Sequence, residues 1–135
     1  MKRIMICAIC LLMLIGCTGN DMQSTDVENV SIRIENISPT GATVVIRDTN
    51  AQPYVYGEWY QIECRDGDDW RALDPVIEHY GFEEIGYLPI EGQDELTFTI
   101  QWEWLYGKLS PGEYRLAKEV GGQRIYVCFA IESAG

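Results

Sequence analysis

Alternation with a period of two dominates the chain from residue 30 onward. In VENVSIRIENIS, Val30, Ile32 and Ile34 fall on one face and Ser31, Arg33 and Glu35 on the other, the pattern of a strand with one side buried. TGATVVIRD repeats it with Ala42, Val44 and Ile46 inward, and the SPTG between the two runs is turn chemistry. EWYQIEC sets Tyr60 and Ile62 against Gln61 and Glu63, after which Asp66-Gly67 separates two strand-like runs as a hairpin turn does. Residues 74 to 93 show no sustained period and predict a loop with a short edge strand near Glu84 to Leu88. ELTFTIQWEW places Leu96, Phe98, Ile100, Trp102 and Trp104 in one row. Aliphatic side chains in the same row as indoles mark a core face, so both tryptophans are expected inside as structural residues. EYRLAKEV, a Gly121-Gly122 turn, and QRIYVCFAIE with Ile125, Val127, Phe129 and Ile131 on one face complete the series.

Seven to eight short strands with almost no helical period predict an all-β fold, two antiparallel sheets packed face to face as an immunoglobulin-like β-sandwich. Tyr114 sharpens this expectation, because it follows the LSPG turn at the start of the next-to-last strand. In such sandwiches a tyrosine at that corner buries its ring and hydrogen-bonds back to the backbone a few residues upstream.

The amino end follows a different pattern. Lys2 and Arg3 precede an unbroken apolar run from Ile4 to Ile15 and then Gly16, the layout of a signal-peptide helix. At about 1.5 Å per residue the run spans about 18 Å, short of a hydrocarbon core of about 30 Å. LIGC, residues 14 to 17, resembles the lipobox of bacterial lipoproteins, in which a diacylglyceryl group is attached to the cysteine thiol and a peptidase cuts just before it. The resemblance implies a lipoprotein signal peptide over residues 1-16 and lipidation of Cys17, with stable attachment to a membrane through two acyl chains. Residues 17-27, polar after the cysteine, then read as a flexible tether to a domain over 28-133. Cys7 and Cys10 fall inside the removed helix.

Length and charge narrow the function classes. With 135 residues, 47% of them hydrophobic, the chain holds one domain with a core of its own. The formal charge is −11, and without Lys2 and Arg3 eight of the 10 Lys+Arg face all 21 Asp+Glu, for −13. Such a surface repels nucleic acid and anionic headgroups, so no nucleic-acid partner is expected and the lipid has to attach the protein unaided.

YGEWYQIE (56 to 63) together with WEWLYGKLSPGEYRL (102 to 116) resembles a bacterial immunoglobulin-like domain family found in short lipoproteins and in larger extracytoplasmic proteins, chiefly of Gram-positive bacteria. The resemblance covers about residues 28 to 132. It implies the sandwich fold and an extracytoplasmic, lipid-anchored setting, and it carries no catalytic residues. Cys64 and Cys128 fall on the third and last strands, and alternation turns Cys64 inward and Cys128 outward. That disfavours a bridge, while an exporting cell would oxidise any pair that came close.

Reactive groups are sparse. His79 is the only histidine and has no nucleophile motif near it. Asp66, Asp68, Asp69 and Asp74 lack the spacing of a calcium loop, and Glu83-Glu84, or Glu58 with Glu63, have no deep cleft to work in. Neither enzyme activity nor a cofactor or metal is expected. The candidate binding residues are Tyr54 and Tyr56 from a loop, Trp59 on the side opposite Tyr60, and Trp70 beyond the hairpin. The expected function is a non-enzymatic cell-envelope lipoprotein presenting an interaction module to an unknown protein or envelope partner. The second reading is a small carbohydrate-binding module built on those four rings.

Overall fold

The computed structural model describes residues 22–133; the segment read as signal peptide, and Cys17, lie outside them. Eight strands form two four-stranded antiparallel sheets. Sheet one runs β1 (Gln23–Ser24), β2 (Val30–Ser38), β3 (Gly41–Asp48), β6 (Glu95–Ile100), and sheet two runs β5 (Asp69–Ala72), β4 (Gln61–Asp66), β7 (Gly112–Val120), β8 (Gln123–Ile131). This is the immunoglobulin-like sandwich that the alternation predicts. Gln23–Ser24, inside the segment read as tether, pair with Ser31 and Ile32, and Val27 is buried behind them.

The registers carry the apolar rows into one core. Ile32 lies opposite Ile46 and Ile34 opposite Val44, while Val44 and Ile46 face Phe98 and Leu96 across the next ladder. Sheet two answers with Ile62, Leu116, Ile125, Val127 and Phe129, all buried. The β2–β3 turn is held by Ser38, whose Oγ accepts from the N–H groups of Thr40 and Gly41 at 3.2 Å each. Gly41 cannot be replaced there, since a Cβ would stand 2.4 Å from the Ile100 carbonyl oxygen. Asp66-Gly67 and Gly121-Gly122 make the two hairpin turns expected of them, the three glycines all at positive φ.

Two elements differ from the sequence pattern. The edge strand near Glu84 to Leu88 does not form, and a single bridge between Tyr87 and Tyr56 stands in its place. Gly81, Gly86 and Pro89 interrupt that stretch, and it has no alternating row to bury. β6 also stops at Ile100 instead of running on to Trp104. Trp102 takes a helical conformation, and Glu103–Tyr106 form one helical turn, α1, ended by Gly107 at φ 72. The side-chain period changes there from two to nearly four. Trp102 and Leu105 point inward with no exposure, and Trp104 is turned out, 45% exposed. The expectation that Trp104 is a core residue is therefore corrected: the extended strand that would have turned it inward ends at Ile100, four residues earlier.

Trp102 stacks on Phe129 with ring centroids 5.4 Å apart, and its Nε1–H donates to the Pro39 carbonyl at 2.9 Å. Tyr114 stacks on the other side of Phe129 at 5.6 Å and donates from its hydroxyl to Ser110 O at 2.6 Å, the corner geometry anticipated from LSPG. Cys64 lies opposite Tyr114 on the inner side and Cys128 opposite Arg115 on the outer side, with β7 between them, so no disulfide joins the two.

A cation sits inside the sandwich. Lys118 on β7 is 1% exposed, donates from Nζ to the Gly57 carbonyl at 2.6 Å, and places that ammonium 3.9 Å from the Phe98 ring centre. Burial pushes its pKa down to about 8, against smaller upward pulls from Glu58 and Glu119.

Trp102→Ala should cost about 3–5 kcal/mol in urea denaturation, Trp104→Ala less than about 1, and Tyr114→Phe about 0.5–1.5 for the corner bond. Lys118 excludes its proton in the fold, so between pH 8 and its unfolded value of 10.5 the unfolded chain binds more protons and stability rises with pH. Tyr60, pushed by burial up to about 12, acts oppositely, its contribution being lost as pH climbs above 10. The urea midpoint should thus rise from pH 8 toward 10 and fall beyond it. Lys118→Met should flatten the rise and leave the fall.

Candidate functional site

The side of the sandwich between β6 and the β4–β5 hairpin is closed by two irregular segments, a strap over residues 49–60 and a loop over residues 73–94. The strap is organised by Asp48 at the end of β3, which has no exposure. Its carboxylate accepts from Asn50 N at 3.0 Å, Asn50 Nδ2 at 2.8 Å, Tyr54 N at 2.9 Å and the Tyr56 hydroxyl at 2.8 Å. Burial alone would raise the pKa of this carboxyl; together the four donated bonds outweigh it and hold the group below its ordinary value. Tyr56 is buried with it, and burial together with the Asp48 bond drives that phenol well above its usual range.

The loop is tied down at four points. Leu73 N donates to Ile62 O at 3.0 Å, Val76 N to Leu105 O at 2.7 Å, and Ile90 N to Glu95 O at 2.9 Å, while Tyr56 and Tyr87 exchange two backbone bonds of 2.9 and 2.7 Å. The Tyr87 ring meets Phe98 edge-on at 5.7 Å and its hydroxyl donates to Glu58, a bond that raises the phenol's pKa with help from burial and from the Glu58 and Glu83 charges. Between these ties the loop turns apolar side chains outward. Val76, Tyr80, Ile85, Leu88 and Ile90 are 42–62% exposed, and Trp104 meets the loop through Phe82.

Phe82 is the inner member of this row. Its ring meets Tyr60 at 5.2 Å, Trp104 at 6.0 Å and Tyr80 at 6.4 Å, each edge to face. Beside it runs a groove of about 370 Å³, walled on one side by Phe98, Thr99, Ile100 and Gln101 of β6 and its exit, and on the other by Glu58, Tyr60, Phe82 and Trp104. The Tyr60 hydroxyl is buried with no hydrogen-bond partner. The Trp104 indole pulls its pKa slightly downward but lies outside hydrogen-bond geometry. An unmet buried hydroxyl costs about 1–3 kcal/mol.

The four rings singled out by sequence do not meet in one place. Tyr56 is buried, so its face is closed to a ligand, and this corrects its reading as an exposed loop aromatic. Tyr54 packs over Gly121 at the β7–β8 turn. Trp59 borders a shallow hollow of about 200 Å³ beside that turn, its ring covered by the Arg124 guanidinium at 4.9 Å. Trp70 lies on the outer face of sheet two under Arg65 and Arg115, at 5.2 and 4.9 Å. Arg115 also stacks on Tyr126 at 3.9 Å and donates twice to Glu63 Oε1. These indole faces are already used by cations. Sequence reasoning passed over Tyr80, Phe82 and Ile85, whose only signal is that apolar residues recur where no period exists to bury them.

Among the described residues no helix is long and apolar enough to cross a membrane, and no group of three or more His, Cys, Asp or Glu stands close enough to hold a metal ion. No curated protein and no solved structure matches the chain. A family model does, the bacterial Ig-like domain, over residues 26–132. With two four-stranded sheets and the Tyr114 corner already in place, that match makes the chain a member of the bacterial Ig-like domain family.

Proposed function

We propose that this domain is a non-enzymatic interaction module of the cell envelope, held at a membrane by a lipid on Cys17 and meeting its partner through the side formed by the 73–94 loop and Trp104. One observation carries the reading of the surface. The exposed large apolar side chains of the described residues all belong to the strap (Tyr54, Val55), the loop (Val76 to Ile90) or Trp104, instead of being scattered singly over the sandwich. Exposed apolar side chains gathered on these irregular segments, with Glu83 and Glu84 in the loop, Glu103 next to Trp104 and Glu58 lining the groove, have the composition of a contact site. The reading of the anchor rests on the basic pair, the apolar run and LIGC. Bacterial Ig-like domains often stand outside the cell or on its surface, and such families typically lack catalysis, in keeping with both parts.

The carbohydrate reading survives in altered form, since only Trp104, Phe82 and Tyr80 offer partly open rings in one cluster. A photo-crosslinking amino acid placed at Tyr80 or Ile85 on intact cells should give discrete protein adducts, and one placed at Arg47 on the outer face of sheet one should give none. Equal labelling at both places would remove the surface from consideration, and adducts that vanish on digestion of cell-wall glycan would replace the protein partner by a sugar. Metabolic labelling with palmitate should tag the protein and be abolished by Cys17→Ser; an untagged protein would end the lipid anchor.

A further inference from the structure

β6 is the last strand of sheet one, and beyond it lies the groove, not another strand. The direction of its backbone groups follows from two bonds. Asp48 N reaches Asp94 O from the β3 side, whereas Ile90 N reaches Glu95 O from the opposite side. In an antiparallel strand each residue turns its N–H and C=O the same way and successive residues alternate. Thr97 and Thr99 therefore point their N–H and C=O groups away from β3, toward the loop side. Among the described residues no backbone hydrogen bond ties either one to the loop opposite. Thr99 itself lines the groove.

From this edge we propose that the groove takes an extended peptide segment of a partner protein, added as a further strand beside β6, with Lys or Arg alternating with apolar side chains. The proposal rests on the reading of this side as the interaction surface and names the kind of partner. Main-chain bonds to Thr97 and Thr99 supply the register, and alternate side chains of the added strand reach the opposite wall. That wall offers an apolar contact in Phe82 and Trp104, and the buried Tyr60 hydroxyl lacks any partner. Its charged member is Glu58, with Glu83 near enough to act on the same Tyr87 phenol. Lys118 faces Glu58 from the core and offsets part of its charge. No Lys or Arg lines the groove itself, and the chain carries 21 Asp+Glu against 10 Lys+Arg. A cationic strand is therefore complementary to the site, and an acidic one is repelled.

A short synthetic peptide in which Lys alternates with Val and Tyr, added to the intact protein, should quench Trp104 fluorescence. It should also slow amide hydrogen exchange at Thr97 and Thr99 by at least about tenfold, the amount one main-chain bond confers. The same peptide with Lys replaced by Glu, or with N-methyl groups on alternate amides, should bind at least about tenfold more weakly. Thr99→Pro deletes one outward N–H without touching the β3 ladder, a place where an edge strand tolerates proline, and should weaken binding similarly. If that variant does not fold, Trp104→Ala, whose ring is mostly outside the core, serves instead with hydrogen exchange as the readout. Quenching of Trp104 with unchanged exchange at Thr97 and Thr99 would overturn strand addition and leave the interaction surface standing. Neither quenching nor protection by the peptide, with a soluble chito-oligosaccharide quenching instead, would overturn both in favour of a sugar. No response to either probe would overturn the proposal outright.

Discussion

A single buried carboxylate decides how the open side of this sandwich is built. Asp48 ends β3 inside the fold, where an ion survives only if its lone pairs are filled. Asn50, Tyr54 and Tyr56 fill them. Satisfying that charge fixes the strap's path, which puts Tyr56 where it can bridge to Tyr87. The bridge in turn pins the middle of the 73–94 loop against Phe98. The groove wall is therefore a consequence of Asp48, which touches none of the rings it helps to position except Tyr56. Lys118 is the second buried ion on that side, and it too is answered by the strap, through the Gly57 carbonyl.

The layered part of the fold was legible because period-two alternation is a direct record of which side faces the core. Val30 to Ile34, Ala42 to Ile46 and Ile125 to Ile131 all point as their pattern says. So does Tyr114, since a tyrosine after a Pro-Gly turn has one place in a sandwich that uses both its ring and its hydroxyl. Alternation misled only where the backbone stopped being extended. From Leu96 to Trp104 the letters keep alternating, but the glutamate between the two indoles starts a helical turn, and nothing local in WEWLY separates strand from helix. Leu105 and Leu109, both buried, hold the alternative in place.

The candidate site was illegible for the converse reason. Its members come from the strap, the loop, the exit of β6 and α1, four segments without a shared period, and their positions depend on hydrogen bonds to Asp48 and Tyr56 that no spacing announces. The four rings chosen from sequence were chosen for being aromatic in or near loops. That criterion cannot tell Tyr56, spent on a buried carboxylate, from Trp104. It also missed that the arginines of sheet two would cover Trp59 and Trp70.

An unpaired strand edge is ordinarily a hazard, because it invites pairing with a second copy of the same chain. Two other edges are guarded in familiar ways. β5 has four residues and carries Asp69 and Arg71, and β2 is capped over two residues by β1. At β6 the guard is the charge of the molecule as a whole. Two copies meeting edge to edge would bring Glu58, Glu83 and Glu103 of each against those of the other, within a total charge of −11 apiece, at a cost in repulsion that a cationic strand does not meet. One charge distribution thus rejects the self-partner and leaves the same backbone groups available to a different one. On this edge the acidity of the chain becomes the term that selects what is allowed to pair.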